Sequence, residues 1–115
     1  MVIHTHSFYA TLVSCLNDKK TALSDLLSYT PYLQMKTNGQ IKSVEYYKPG
    51  SKELFNKFNS IVANDTNAYI LSNHGIIVTS KDIIKAFNII EEFEISSRIL
   101  CRIENYTKDD YMKIV

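Results

Sequence analysis

The spacing of apolar residues predicts a short strand followed by a helix at the start of the chain. Residues 1–5 match an extended segment, and apolar residues recur at helical spacing over 9–16. Ser7 precedes this helix and is a candidate N-cap, because its hydroxyl can accept a hydrogen bond from the first turn. The polar run 17–20 is predicted to end the helix, and 21–28 shows a weaker helical pattern.

The middle of the chain has the pattern of a β-hairpin followed by a helix. Two segments with strand character, 31–36 and 41–47, flank Thr-Asn-Gly-Gln, and Asn-Gly favours the left-handed backbone of a tight hairpin turn. Ser51 is a candidate N-cap after a Pro-Gly turn. The apolar residues over 54–62 then lie on one face of a predicted helix of about three turns.

Two buried strands and a long helix are predicted for the second half of the chain. The apolar runs 68–71 and 76–78 are typical of core strands and are separated by Ser-Asn-His-Gly. Thr79 and Asp82 resemble a capping box, which would open a helix. Apolar positions then form one continuous stripe, which predicts a long helix over 83–105.

A short terminal helix is predicted within 107–115. We find no internal repeat and no linker, so residues 1–115 are predicted to form a single domain. The alternation of helices and strands indicates an α/β layer structure with some antiparallel pairing.

Charge and composition give no indication of a nucleic-acid or membrane partner. Lys and Arg total 13 against 12 Asp and Glu, for a formal net charge of +1, which leaves no basic surface for polyanions. No apolar run is long enough to span a membrane and no signal peptide is apparent, so we predict a cytoplasmic protein. Cys15 and Cys101 lie in apolar helical patterns and are predicted to be buried free thiols.

The three histidines of the chain, His4, His6 and His74, are the candidate metal ligands. Alternate residues of a strand project from the same face, so the rings of His4 and His6 can reach one ion. Three neutral imidazoles would leave one position of a tetrahedral Zn²⁺ open, as in catalytic zinc sites. Spacing alone leaves a structural alternative open, in which the pair arises by chance and the His74 ring only bonds backbone.

Three segments in a fixed order resemble the class II aldolase/adducin family. The first segment, 4–11, begins with His-Thr-His-Ser. The second, 46–54, begins with Tyr-Tyr-Lys-Pro-Gly-Ser, and the third, 71–78, begins with Leu-Ser-Asn-His-Gly. The long helix is also similar, so the resemblance covers most of residues 2–104. It implies a three-layer α/β/α fold with a mixed, largely antiparallel central sheet, of which this chain is the N-terminally truncated, C-terminal metal-binding part.

The resemblance implies a metal-dependent carbon–carbon lyase of the aldolase type. His4, His6 and His74 would bind Zn²⁺, with Mn²⁺ or Co²⁺ as alternatives. The substrate would be a phosphorylated sugar or sugar acid that reacts through a metal-stabilised enediolate. Family members are typically tetramers with the active site between subunits, so a homo-oligomer is expected.

Two alternatives to an aldolase remain open. The segments 29–36 and 44–50 are similar to the 3-oxo-tetronate 4-phosphate decarboxylases, in which the same enediolate would follow release of carbon dioxide. A non-enzymatic alternative is a catalytically inactive metal-binding or interaction module, or a fragment that does not fold alone. A family member that has lost its activity would normally also lack one or more of these histidines, whereas all three are present here.

The chain departs from the family in its catalytic groups. The phosphate-binding loops and the proton-transferring carboxylate of the family belong to a part that would precede the first histidine, and no glycine occurs before Gly39. The catalytic acid and base are therefore left unassigned.

Other residues whose side chains could take part in catalysis are predicted to have structural roles. Asp25 stands where the aldolase branch has a tyrosine proton donor, and the nearest tyrosines, Tyr29 and Tyr32, are predicted to pack near a sheet edge. Three acidic residues lie in the middle of the long helix, Glu91, Glu92 and Glu94. They are predicted to form a mostly solvated face, with support of a ligand histidine as the alternative.

Overall fold

A four-stranded mixed sheet forms the centre of the protein in the computed structural model, which describes all 115 residues. The strands are β1 (Val2–Thr5), β2 (Ile41–Val44), β3 (Ala68–Leu71) and β4 (Gly75–Thr79), in the spatial order β1-β4-β3-β2. β4 is antiparallel to both β1 and β3, and β2 is parallel to β3. The predicted mixed, largely antiparallel sheet is confirmed.

Five α-helices lie on the two faces of the sheet, as the predicted three-layer fold requires. They are α1 (Phe8–Ser14), α2 (Lys19–Leu26), α3 (Tyr32–Thr37), α4 (Lys52–Ile61) and α5 (Ile83–Ile103). α5 packs on β1 and β4 and contacts α1, α2 and α3, whereas α4 packs beside β2. None of these helices combines the length and the apolar character needed to cross a membrane.

Alternation along the central strands divides their side chains between the two helical layers. Ile70 of β3 and Ile76 of β4 are fully buried in the main core with Phe93 of α5. Tyr69 faces the opposite side, where its ring centroid lies 5.0 Å from that of Phe58 on α4. The Tyr69 hydroxyl donates to the Thr66 carbonyl at 2.9 Å, so its polar end is satisfied although the residue is fully buried.

The predicted β-hairpin around Asn38-Gly39 is wrong. Its first arm is the helix α3, and its second arm, β2, pairs in parallel with β3. Asn38 (φ 54°) and Gly39 (φ 69°) do adopt left-handed conformations, but they end α3, with the Gly39 N–H donating to the Gln34 carbonyl at 3.1 Å. Asn-Gly suits a helix C-terminus as well as a hairpin turn, because both require positive φ.

Several helix ends also differ from the prediction. Asp18, placed in the run that ends α1, caps α2 by accepting from the Thr21 N–H at 3.1 Å. α5 is capped by Asp82, which accepts from the Ile84 N–H at 2.8 Å, and Thr79 is the last residue of β4. The predicted terminal helix is only a 3₁₀ turn, Lys108–Asp110, opened by a capping box. Short polar side chains compete for neighbouring N–H groups, and tertiary contacts decide which one caps.

The two cysteines are free thiols, as predicted. Cys15 and Cys101 are half-buried, so they are less enclosed than the apolar pattern indicated. Burial raises the pKa of the Cys101 thiol, and the negative charge of Glu94 raises it further. A thiol with a raised pKa is a weak nucleophile, which fits a packing role.

Candidate metal centre

The rings of His4, His6 and His74 converge on one point at the end of the β1–β4 ladder. His4 Nε2 lies 3.0 Å from His6 Nε2 and 3.1 Å from His74 Nε2, and the candidate ligand atoms all lie within 4.8 Å of one another. β1 carries His4, and His6 follows directly after its last residue. The antiparallel pairing of β1 with β4 brings both rings beside the turn that carries the third. The structure thus brings together all three histidines singled out from the sequence.

The hydrogen bond of His4 selects one tautomer of its neutral ring. His4 Nδ1 lies 2.9 Å from the carbonyl oxygen of Ile76. A carbonyl can only accept, so Nδ1 carries the hydrogen and Nε2 of the neutral ring keeps its lone pair. That lone pair faces the shared point, and metal-binding histidines are commonly oriented by a bond of this kind.

The two nitrogen separations that involve His4 are close to those around a single tetrahedral ion, and all three candidate ligand atoms lie within 4.8 Å of one another. With metal–nitrogen bonds of about 2.0–2.1 Å, two ligand nitrogens lie roughly 3.3 Å apart. The observed separations of 3.0 and 3.1 Å from His4 Nε2 are close to this spacing. Burial lowers the pKa of His74, and the His4 and His6 rings lower it further, which favours the neutral ring that a metal requires.

The β3–β4 turn is held by contacts from distant parts of the chain. Asn73 adopts a left-handed conformation with φ 57°, and its N–H donates to the Ser14 carbonyl at 2.9 Å. The His74 N–H lies 3.2 Å from Ser14 Oγ, and Asn73 Nδ2 donates to the Met112 carbonyl at 2.7 Å. The end of α1 and the C-terminal segment together position the His74 backbone.

Gly75 allows β1 to approach this turn closely. A Cβ atom on Gly75 would lie 2.3 Å from the Thr5 carbonyl oxygen and 3.1 Å from Cδ2 of His6. Thr5 is the last residue of β1 and lies between His4 and His6. The absence of a side chain at position 75 is therefore a condition for the convergence of the three rings.

Glu94 of α5 caps the helix that follows His6, a role that the sequence did not reveal. Its two carboxylate oxygens accept from the backbone N–H groups of Tyr9 at 3.0 Å and Ala10 at 2.8 Å. Ser7 occupies the N-cap position, but its side chain makes no capping bond. For Glu94 the predicted solvated face is wrong, whereas Glu91 is exposed as expected. No local pattern could link residues 85 positions apart in the sequence.

Substitution of Glu94 by alanine is expected to destabilise the protein by about 1–2 kcal/mol, the usual effect of losing a helix N-cap. The N–H groups of Tyr9 and Ala10 would lose the carboxylate that satisfies them. Urea unfolding of the metal-free protein measures the change, and Glu91→Ala on the same helix is the matched control, expected within about 0.5 kcal/mol of the parent. Equal losses in the two variants would contradict the capping role.

A cavity of about 360 Å³ lies beside the histidines, between the sheet and α4. Its lining is mainly apolar and comprises His4, His74, Gly50, Ser51, Leu54, Phe55, Phe58, Leu71 and Ile77. No carboxylate lines it, so the carboxylate that would act as general base in the family has no counterpart in this cavity. The catalytic acid and base that the sequence left unassigned are not found among these residues.

Tyr29 and Tyr32 are remote from this cavity. Both are exposed, and the Tyr29 hydroxyl bonds the Glu104 carboxylate at 2.5 Å. That contact raises the pKa of Tyr29, since ionisation would place two negative charges together. Neither tyrosine lines the cavity next to the histidines, which agrees with leaving both out of the candidate site.

The fold and the site together define an α/β protein with a candidate mononuclear centre of three imidazoles. Residues 1–101 match the family model described as the class II aldolase and adducin N-terminal domain. The chain belongs to this family, and the membership predicted from its three sequence segments is confirmed.

The names of similar proteins describe two enzyme activities, a decarboxylase and an aldolase. The 3-oxo-tetronate 4-phosphate decarboxylase of Haemophilus influenzae is 32% identical over 100 residues, covering 85% of this chain and 45% of the relative. The L-fuculose phosphate aldolase of Methanococcus maripaludis strain C7 is 38% identical over 86 residues, covering 75% of this chain and 42% of the relative. The chain thus spans less than half the length of either protein.

A solved structure supports the same fold. The sugar-phosphate aldolase of Thermotoga maritima superposes with a TM-score of 0.79 at 26% identity, covering 90% of this chain and 44% of that one. The class II aldolase-like fold predicted from the sequence is confirmed by this similarity.

Proposed function

We propose that the protein takes part in metal-dependent cleavage of a carbon–carbon bond in a phosphorylated sugar or sugar acid. The observation that supports this most directly is the convergence of His4, His6 and His74 in a chain of the class II aldolase family. These residues would hold one divalent ion. Zn²⁺ is the first candidate, and Mn²⁺ and Co²⁺ are alternatives, because imidazole binds all three.

The neighbouring residues suit the chemistry of such a site. When bound, the ion supplies a fixed positive charge that offsets negative charge developing on the substrate oxygens as the bond breaks. His4 is held in its ligating orientation by the Ile76 carbonyl. The apolar side chains of Leu54, Phe55 and Phe58 lower the local polarity beside the centre, which strengthens electrostatic interactions there.

Aldol cleavage is the first candidate reaction, and decarboxylation is the second. The aldolase relative has the higher identity, 38% against 32%. The decarboxylase relative matches a larger share of the chain, 85% against 75%. Both reactions need the same positive charge beside a carbonyl, so the histidine geometry supports them equally.

Assays of zinc-loaded protein on both substrate classes test this proposal. We expect slow product formation from either a ketose 1-phosphate or a 3-oxo acid 4-phosphate, because no carboxylate in the cavity can move a proton. Activity should disappear with a chelator and return when zinc is added. An aldehyde product would identify aldol cleavage, and release of carbon dioxide would identify decarboxylation. One bound zinc per chain with neither product would favour the inactive metal-binding module.

A further inference from the structure

A second cavity, of about 490 Å³, lies at the carboxyl ends of β2 and β3. Lys19 from the start of α2 and Lys113 from the C-terminal segment line it, together with Ser43 and Ser72. β2 and β3 are the parallel pair of the sheet. Ligands of α/β proteins commonly bind beyond the carboxyl ends of such strands.

The second cavity and the cavity beside the histidines have no lining residue in common. Ser43 pairs in register with Ile70, which faces the core beneath α5, and Ser72 follows Ile70 by two residues. His4 pairs with Ile77, and both line the cavity beneath α4. No histidine lines the second cavity.

The charges around the second cavity are unbalanced. Lys19 is half-buried, and its Nζ donates to the Leu16 carbonyl at 2.6 Å. The ion pair of the chain joins Lys57 to Glu45 at 3.1 Å, so neither lysine of the cavity has a carboxylate partner. Glu45, which also lines the cavity, is already engaged by that pair. Burial lowers the pKa of Lys19, and a bound anion would offset that loss of hydration.

The lining also contains hydroxyl donors. Ser43 lies on β2 and Ser72 directly follows β3, and the Ser72 N–H donates to the Val44 carbonyl at 2.9 Å. Tyr46 adds a third hydroxyl. Ammonium groups form strong charge-assisted hydrogen bonds to phosphate oxygens, and hydroxyls can donate to the remaining oxygens.

We propose that this cavity binds a phosphate monoester of a small polar molecule, independently of the histidine centre. Two ammonium groups match the charge of a phosphate dianion, and the remaining volume accommodates a small organic part. None of the lining residues belongs to the histidine centre. The proposal therefore does not depend on the proposed function.

Calorimetric titration with glycerol 3-phosphate, and with glycerol as the uncharged control ligand, tests the proposal. We expect one saturable site for the phosphate ester and none for glycerol. Lys19→Gln should weaken binding by at least about 10-fold, which corresponds to about 1.4 kcal/mol. Lys20→Gln is the matched control, because Lys20 is exposed and does not line the cavity, and it should change the affinity less than twofold. Ser72→Ala should weaken binding severalfold and provides a second test if Lys19→Gln fails to fold.

Three results would overturn the proposal. One is the absence of saturable binding at millimolar glycerol 3-phosphate. Another is an equal loss of affinity in Lys20→Gln, which would indicate attraction to diffuse surface charge. The third is loss of binding after chelation or in His74→Ala, which would place the phosphate at the histidine centre as part of a substrate.

Discussion

Replacing His74 with alanine is expected to lower the affinity for Zn²⁺ by more than about 100-fold. Even outer-sphere partners of metal ligands change affinity by about 10–100-fold, and this substitution removes one of only three imidazoles. The His4 and His6 rings, 3.0 Å apart at Nε2, would remain as a two-ligand site. The backbone of the turn should be retained, because its bonds come from the N–H groups of Asn73 and His74 and not from the imidazole.

Competition titration against a chromophoric chelator, with elemental analysis of the purified protein, measures this effect. The parent is expected to bind about one zinc per chain. At a free zinc concentration of 100 times the parent's Kd, zinc should raise the parent's free energy of unfolding by about 2.7 kcal/mol and that of His74→Ala by no more than about 0.4 kcal/mol. Asn64→Ala, at an exposed turn outside the site, is the control and should behave like the parent. Substoichiometric zinc that is unchanged in His74→Ala would refute the metal centre.

The histidine cluster could be predicted from the sequence because its members lie in short, recognisable segments. His4 and His6 are two residues apart in a segment with strand character, and His74 follows an apolar strand in a turn with its own Asn-His-Gly signature. Local alternation places the first pair on one face. The similarity of three segments to one family supplied the remaining, long-range information, namely that His74 joins the His4–His6 pair. In the structure, the antiparallel pairing of β1 with β4 accounts for this convergence.

Features that depend on tertiary context were not predicted. Asn38-Gly39 has the backbone preference of a turn, but only packing decides whether the preceding residues are helix or strand. In the structure Leu33 and Thr37 are buried one helical turn apart. The cap that Glu94 provides to α1 joins two elements far apart in sequence. The lysines of the second cavity come from α2 and the C-terminal segment, so no linear motif brings them together.

Replacing Gly75 with alanine is expected to damage both the fold and the metal centre. The new Cβ would lie 2.3 Å from the Thr5 carbonyl oxygen, far inside van der Waals contact, and that oxygen belongs to the backbone and cannot rotate away. Overpacking of this kind usually destabilises by about 1–3 kcal/mol and occasionally more. Relief would require β1 to move away from β4. His4 and His6 would then shift relative to His74, so we expect zinc affinity to fall by at least about 10-fold as well, or about 1.4 kcal/mol.

Gly39→Ala separates this steric effect from the general penalty of losing a glycine. Gly39 also has a positive φ, 69°, but a Cβ there would meet only Gln34 Cγ at 3.8 Å. Gly39→Ala should therefore lower the free energy of unfolding by about 1–2 kcal/mol, because alanine is strained in the left-handed conformation. It should leave the zinc affinity unchanged. Urea unfolding of both metal-free variants, followed by zinc titration, makes the comparison. If Gly75→Ala were no less stable than Gly39→Ala and bound zinc as the parent does, the close approach of β1 to the turn would not be what aligns the three imidazoles.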